Sequence, residues 1–357
     1  MRNKICIAVV GCGRIAQAGH FPALHALKDR VRIKYVCDLI PEKANAAKAA
    51  YPDFAENAVT DYRELLADKE VEAVWVLTSN LEHHRVTMDA LKAGKHVFCE
   101  KPITVSYPLS LEMAQAAERY GKLLCIGVCN RYQRSVELLE KMNREGKFGK
   151  LYHVYCSFRK YRCIPGLGGA FTTKAESGGG VLIDWGVHFF DLIFYVLGGA
   201  KLKTVTCDAY GEMAKDMKDY VYLAMHAEDT KNLEGKFDVD DFVSGYIRTD
   251  KASVSFNGAW AQNVDRDEMY VDFLGDKGGA RLDYCGMLTY YTVEDGVLET
   301  RRPAYNIPDM YTEEDRAFLD AIASGGTPKN EIHAVLESAK LLDALYESSA
   351  KKKELAF

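Results

Sequence analysis

The chain has no excess of positive charge. Across 357 residues, 46 lysines and arginines stand against 51 aspartates and glutamates, a formal net charge of −5. A protein that grips a phosphate backbone shows a basic balance and a basic face, so nucleic acid is not an expected partner. The amino end lacks a long apolar run: in MRNKICIAVVGCG a short one gives way at once to glycines and an arginine, with no small-residue cleavage pattern. No membrane is expected, and a cytoplasmic location is. The ten cysteines form no C-x-x-C pair and no Cys/His cluster at zinc spacing, so they are expected to be reduced and buried, and no metal site is expected. Internal repeats and low-complexity tracts are absent too.

What is present divides in two by its hydrophobic rhythm. From residue 4 to about 126, the apolar runs KICIAVVG, VRIKYVCD, AVWVLTS, KHVFCEKP and LLCIGVC alternate with helical patterns. Continuous apolar strands separated by helices indicate a parallel sheet covered on both faces, a doubly wound Rossmann-type α/β domain over 1–126. Pro22 suits the first turn of a helix better than its interior, which predicts a break near His20. From residue 151 the pattern changes to alternation in LYHVYCSFRKYR, KTVTCDAYG, DFVSGYIRT, ASVSFNGAWAQ, MYVDFLG and LTYYTVEDG, with turns at RTDK and GDKGG. This predicts a second α/β domain over 127–357 with a large, open, mostly antiparallel sheet. One face of that sheet should cover helices, and the other is expected to meet a second subunit in a homodimer or homotetramer. The stretch from Gly211 to Lys236 reads as a surface insertion with a short helix. Two carboxyl-terminal helices follow and are expected to pack back on the first domain; Thr312 and Asp315 resemble a capping box for the first of them.

The chemistry-bearing motifs lie where such a fold places a ligand. In VVGCGRIA, Gly11 permits a tight turn, Gly13 lets the backbone approach a pyrophosphate, and Ala16 keeps helix and strand close. Asp38 ends the second strand, where a carboxylate accepts hydrogen bonds from the adenosine ribose hydroxyls; with no arginine or serine pair beside it to receive a 2′-phosphate, NAD is favoured over NADP. TSNLEHH, with Thr78, Asn80 and His83, and HVFCEKP, with Glu100, Lys101 and Pro102, sit at the carboxyl ends of further strands that line the same crevice. Lys101 can there hydrogen-bond a substrate hydroxyl or a developing carbonyl oxygen, with Glu100 holding it in place. In SGGGVLIDWGVHFFD, Asp184, His188 and Asp191 fall at i, i+4 and i+7 and should share one helix face, the carboxylate of Asp184 orienting the imidazole of His188.

Together, GCGRIA, TSNLEHH, EKP and GGGVLIDWGVHFFD resemble, in order and spacing, the glucose-fructose oxidoreductase, inositol dehydrogenase and rhizopine-catabolism (Gfo/Idh/MocA) family over nearly the whole chain. Ser79 stands where that family commonly has proline. The resemblance implies a nicotinamide-dependent reaction on a small carbohydrate-like substrate: a sugar, cyclitol, sugar derivative or glycoside. It also implies that Lys101, Asp184 and His188 are catalytic. His188 is the first choice for the base, with Lys101 and His188 exchangeable in role. The cofactor set expected on this basis is Gly11, Gly13, Arg14, Ile15, Asp38, Thr78, Asn80, His83, Glu100, Lys101 and Asn130. Substrate contacts are expected from Arg131, Tyr161, Arg162 and Trp185. Two rival readings are a lyase or glycosidase that regenerates NAD in place, and a sensor that keeps the pocket without catalysis.

Overall fold

The computed structural model describes residues 4–52, 55–223, 231–284 and 286–357. The chain forms two compact units, Met1–Tyr132 with Pro308–Leu336, and Gln133–Ile307 with Glu337–Phe357.

The first unit is built on six parallel strands, β1 (Ile5–Val10), β2 (Val31–Cys37), β3 (Ala55–Val59), β4 (Ala73–Val76), β5 (His96–Glu100) and β6 (Leu124–Gly127), in the order β3-β2-β1-β4-β5-β6. β1 and β4 are buried at every residue, as strands covered on both faces must be. β3 is the exception: AENAV is a half-exposed edge strand, too polar to stand out as an apolar run. The strand order reverses between β1 and β4, so their carboxyl ends flank the crevice in which doubly wound sheets hold ligands.

Helix begins directly after the glycine turn and does not break at His20. A π-helical turn, Ala16–His20, leads straight into the helix Phe21–Ala26, all in right-handed conformation. Pro22 has no N–H to give to the ladder, and a widened turn immediately before it absorbs that loss without ending the helix. At the other end of the unit the helix Met310–Ser324 is capped by Asp309, which accepts hydrogen bonds from the Thr312 N–H at 2.8 Å and the Thr312 hydroxyl at 2.6 Å. Thr312 is therefore a donor to the cap and not the cap itself, and Asp315 faces inward with a different task.

The second unit carries the strands β7 (Leu151–Arg159), β8 (Leu202–Tyr210), β9 (Phe242–Thr249), β10 (Ser253–Ala259), β11 (Glu268–Gly275), β12 (Gly278–Asp283), β13 (Leu288–Glu294), β14 (Val297–Arg301) and β15 (Leu355–Ala356). They form one sheet in the order β14-β13-β12-β11-β7-β10-β9-β8-β15, antiparallel except where β7 and β10 run parallel. Val154, Cys156, Phe158, Val254, Phe256, Val271 and Phe273 point to one face, where they pack with Val136, Leu139, Phe189 and Phe190 of two helices. His153, Tyr155, Ser253, Ser255 and Tyr246 occupy the opposite face, with His153 between the hydroxyls of Ser253 at 2.7 Å and Ser255 at 3.1 Å. No helix occurs in 211–223 or 231–236, which are turns and irregular chain; residues 224–230 lie outside the described set. The stretch Lys174–Val196 is apolar and long enough to cross a membrane by composition, but 78% of its apolar window is buried inside the protein, as in a core helix.

Candidate active site

The nucleotide end of the first unit is shaped by two glycines with different jobs. Gly11 has φ +98°, and a Cβ placed on it would lie 2.4 Å from the Leu77 carbonyl oxygen at the end of β4. A side chain there would collide with backbone that has no freedom to move. Nothing lies within 4 Å of a Cβ built on Gly13, so its backbone is open to a ligand, and the residues present fit a dinucleotide pyrophosphate. Arg14 is exposed and Ile15 half-exposed in the first helical turn beyond. Asp38 is bound into the same turn: Oδ2 accepts from the Cys12 N–H and Oδ1 from the Ile40 N–H, each at 2.9 Å. Each oxygen keeps a further lone pair for a ribose hydroxyl. Burial, with the Asp38 carboxylate adding to it, pushes the Cys12 thiol up to about 12, so this cysteine is an inert filler at the turn.

At the end of β4, Thr78 and Asn80 are half-exposed, and Ser79 occupies the position before the helix Asn80–Lys92 without a side-chain capping bond. His83, expected at the cofactor, is instead 1% exposed, and its ring stands between two backbone carbonyls, Pro102 at 2.7 Å and Thr78 at 3.1 Å. Burial pushes its pKa down, and the neutral ring donates its single N–H to one of these carbonyls while packing against the other, between the two crevice loops. Glu100, expected to hold Lys101 in place, is fixed beneath the turn. It is 4% exposed, with Oε1 3.0 Å from His20 Nε2 and Oε2 accepting the Lys101 N–H at 2.8 Å. It lies so close over Gly127 that a Cβ on that glycine would be 2.7 Å from Oε1. Glu100 thus holds Lys101 by its backbone, from inside the protein. Lys101 itself is half-exposed on the turn, with a cis peptide to Pro102.

Beneath this turn is a charged cluster that sequence reasoning did not find. His20 is fully buried, with Nδ1 3.1 and 3.2 Å from the two oxygens of Asp315, and Trp75 donates its indole N–H to the same carboxylate at 2.8 Å. Burial alone would push the imidazole down, but the Asp315 and then the Glu100 carboxylate outweigh it and hold His20 up at about 10. The neighbouring Glu314 is fully buried and raised well above the usual carboxylate range, by burial first and then by the Glu100 charge, so it is a neutral acid. Asn130 is 2% exposed. Arg131, expected at the substrate, is equally buried and donates to the carbonyls of Lys329 and Ala334; its guanidinium fastens the segment between two helices.

In the second unit, Gly178 to Gly180 lead into a helix whose first residues, Leu182–Gly186, form a π-helical turn before the α-helix Val187–Val196. Asp240 caps it from a distant segment: Oδ1 accepts from the Gly180 N–H and the Tyr346 hydroxyl, each at 2.8 Å, and Oδ2 from the Leu182 N–H at 2.9 Å. Its backbone carbonyl takes the Val181 N–H at 2.9 Å. Between Val181 and Phe194 every residue is buried except Asp184, Trp185 and His188. Asp184 accepts the Trp260 indole N–H at 3.2 Å. Asp191, expected beside them, is buried and takes the Ser338 hydroxyl at 3.2 Å, so it is not among the accessible groups of this helix. Arg162 donates to the Asn263 side chain and lies over the rings of Tyr161 at 5.2 Å and Tyr220 at 5.9 Å. Among the described residues, no three His, Cys, Asp or Glu side chains group as metal ligands. His20, Asp240 and Trp260 were beyond sequence reasoning, because each acts through a partner far away in the chain.

Comparison with known proteins gives the following. The family description "Oxidoreductase family, NAD-binding Rossmann fold" matches residues 5–128, and "GFO/IDH/MocA C-terminal domain" matches residues 136–281. D-glucoside 3-dehydrogenase of Escherichia coli (strain K12) is 28% identical over 283 residues, 78% of this chain and 77% of that one. Inositol 2-dehydrogenase of Burkholderia multivorans is 29% identical over 193 residues, 54% of each chain. Among solved structures, levoglucosan dehydrogenase in complex with NADH and levoglucosan superposes with a TM-score of 0.85 at 21% identity, over 99% of both chains.

Proposed function

The chain belongs to the Gfo/Idh/MocA family of oxidoreductases, and on that premise we propose that it oxidises a C–OH group of a sugar, cyclitol, sugar derivative or glycoside with NAD, or runs the reverse reduction. The supporting observation is the helix that begins at Val181. On a stretch otherwise sealed in the core, the accessible groups are a carboxylate, an indole and an imidazole at 184, 185 and 188. A binding module needs no such acid-base pair, whereas carbinol oxidation does.

NAD is held by the turn at Gly11 and Gly13, by the helix start at Arg14 and Ile15 and by Asp38, with Thr78 and Asn80 at the neighbouring strand end. When bound, its nicotinamide supplies the hydride acceptor. His188 takes the hydroxyl proton, and Asp184, fixed by Trp260, orients the imidazole or the substrate. Lys101 is proposed as a hydrogen-bond donor that stabilises a substrate oxygen as it becomes a carbonyl. Trp185, Tyr161 and Arg162 contact the substrate ring and its substituents. Holding the carbinol carbon in reacting position contributes roughly 7 to 11 kcal/mol, so positioning is as important as proton transfer.

We also propose a homodimer or homotetramer built on the outer sheet face, where Tyr155 and Tyr291 stand half exposed beside a hydroxyl-rich, helix-free surface. A cytoplasmic location accords with the nine described cysteines, all free and buried. The test is a panel of methyl D-glucosides, levoglucosan, myo-inositol and scyllo-inositol with NAD and with NADP, followed at 340 nm. Reduction of NAD by at least one member supports the reading. If no compound is oxidised and none of the corresponding ketones is reduced by NADH, the reading fails.

A further inference from the structure

Lys101 stands on a turn fastened from beneath on both sides by buried histidines. On one side His83 meets the Pro102 carbonyl; on the other His20 meets Glu100, whose second oxygen takes the Lys101 N–H. The two fasteners differ in the charge of what they meet: His83 lies between two uncharged carbonyls and as a neutral ring donates to only one of them, whereas His20 lies between two carboxylates. A neutral imidazole has one hydrogen to donate, yet His20 lies between two carboxylates, 3.0 Å from Glu100 on Nε2 and 3.1 Å from Asp315 on Nδ1. Only the doubly protonated ring donates to both. The rings of Phe98 and Tyr311 close edge-on around it at 5.1 and 5.5 Å, which keeps water away. The other titratable groups that face this cluster are Glu314, a neutral acid, Cys129, and Lys101 itself. Asp315 is in turn fixed by Trp75.

We propose that His20 is a positioning residue for Lys101: its imidazolium, anchored on Asp315, locks Glu100 so that this carboxylate holds the Lys101 amide and sets the direction in which the Lys101 ammonium meets the substrate oxygen. The proposal rests on the reading of Lys101 as the group that meets that oxygen. Without the imidazolium, Glu100 becomes a buried carboxylate with no cation beneath it. It must then take up a proton or swing toward water, and either change releases the amide of Lys101. The link is short, running from imidazolium to carboxylate to backbone N–H.

The test combines His20→Gln, Glu100→Gln and the double variant in the full-length protein. Peptide hydrogen exchange, with electron-transfer fragmentation across residues 97–106, reads the Lys101 amide without any substrate. The expected result is exchange at Lys101 at least tenfold faster in both single variants, with β1 and β4 unchanged. On the most active compound of the panel, kcat should fall at least tenfold with KM nearly constant and NADH binding within a few-fold of the parent. The double variant should be no worse than the worse single variant, because both act through one link. If His20→Gln does not fold, Asp315→Asn, which keeps its shape and can still accept from Trp75, takes its place with the same expectation. Unchanged exchange at Lys101, exchange that rises equally throughout the unit, or losses that multiply in the double variant would overturn the proposal. A parent enzyme that oxidises nothing on the panel defeats the functional reading instead, and the exchange measurement then decides the positioning claim by itself.

Discussion

Replacing His20 by glutamine removes the one cation between two buried carboxylates, and the consequence for stability depends on pH with a definite sign. In the folded protein the imidazole is held up at about 10, against an ordinary value of 6.5. A group whose folded pKa is raised contributes stability that is fully present below its unfolded value. That contribution declines as pH climbs from about 6.5 and is gone once pH has passed the folded value near 10. Within that window the folded state carries one more proton than the unfolded chain, so the contribution falls by about 1.4 kcal/mol per pH step, close to 5 kcal/mol across the whole interval. Urea unfolding of the parent and of His20→Gln, followed by far-ultraviolet ellipticity at pH 7 and pH 9, measures it. The gap between the two proteins should narrow by a few kcal/mol, on the order of 2 to 3, from the lower pH to the higher. Stability curves for parent and variant that run parallel in pH would show that His20 is neutral and that the two-carboxylate reading of its surroundings is wrong.

Asp38→Ala should weaken NADH binding, measured by nicotinamide fluorescence, by about 1.5 to 3 kcal/mol, and should narrow any preference for NAD over NADP; unchanged affinity would remove Asp38 from the ribose. Asp240→Ala removes the acceptor of the Leu182 N–H and of the Tyr346 hydroxyl and leaves the Gly180 N–H only the Tyr346 oxygen at 3.2 Å, at the start of the helix bearing Asp184 and His188. A loss of about 2 to 4 kcal/mol in urea unfolding is expected, together with at least a tenfold drop in kcat and intact NADH binding, and a variant as stable as the parent would contradict the capping role. Sedimentation at micromolar concentration should give a dimer or tetramer, and Tyr155→Lys on the outer sheet face should shift it toward monomer; a monomeric parent removes that proposal.

The parts of this structure legible in the sequence are those in which local pattern and environment agree. Strands β1, β4, β5 and β6 are apolar runs because both faces of the parallel sheet are covered there, and β2 is marked by its buried Val31, Ile33, Val36 and Cys37. The inward and outward alternation of β7 and β10 separates core from open face residue by residue. β3, β12 and β14 escaped notice because AENAV, GGARLD and VLETR have too few apolar residues to mark a strand; they are recruited by neighbours already in the sheet. The π-helical turns before Phe21 and Val187 carry no local mark at all. Asp315 shows a related limit. Its spacing from Thr312 looked like a cap, but its partner His20 lies 295 residues away, and only the folded chain brings the two together. Glu100, His83 and Arg131 show the same limit. A polar residue in a ligand-binding motif reads equally well as a ligand contact or as a brace, and burial decides between them.

Hydride transfer from a carbinol carbon to NAD, with Lys101 and His188 each proposed as groups the reaction needs, can be followed atom by atom. It is tested most directly with myo-inositol and methyl glucoside deuterated at every ring carbon, incubated with NAD and either the parent, Lys101→Ala or His188→Ala. Mass spectrometry of the recovered NADH, with its accumulation followed at 340 nm, should show one deuterium per molecule for the parent on at least one of the two substrates. Each variant should bind NADH normally but form it about 10² to 10⁴ times more slowly. NADH that gains no deuterium, or variants that keep pace with the parent within a few-fold, would contradict the account.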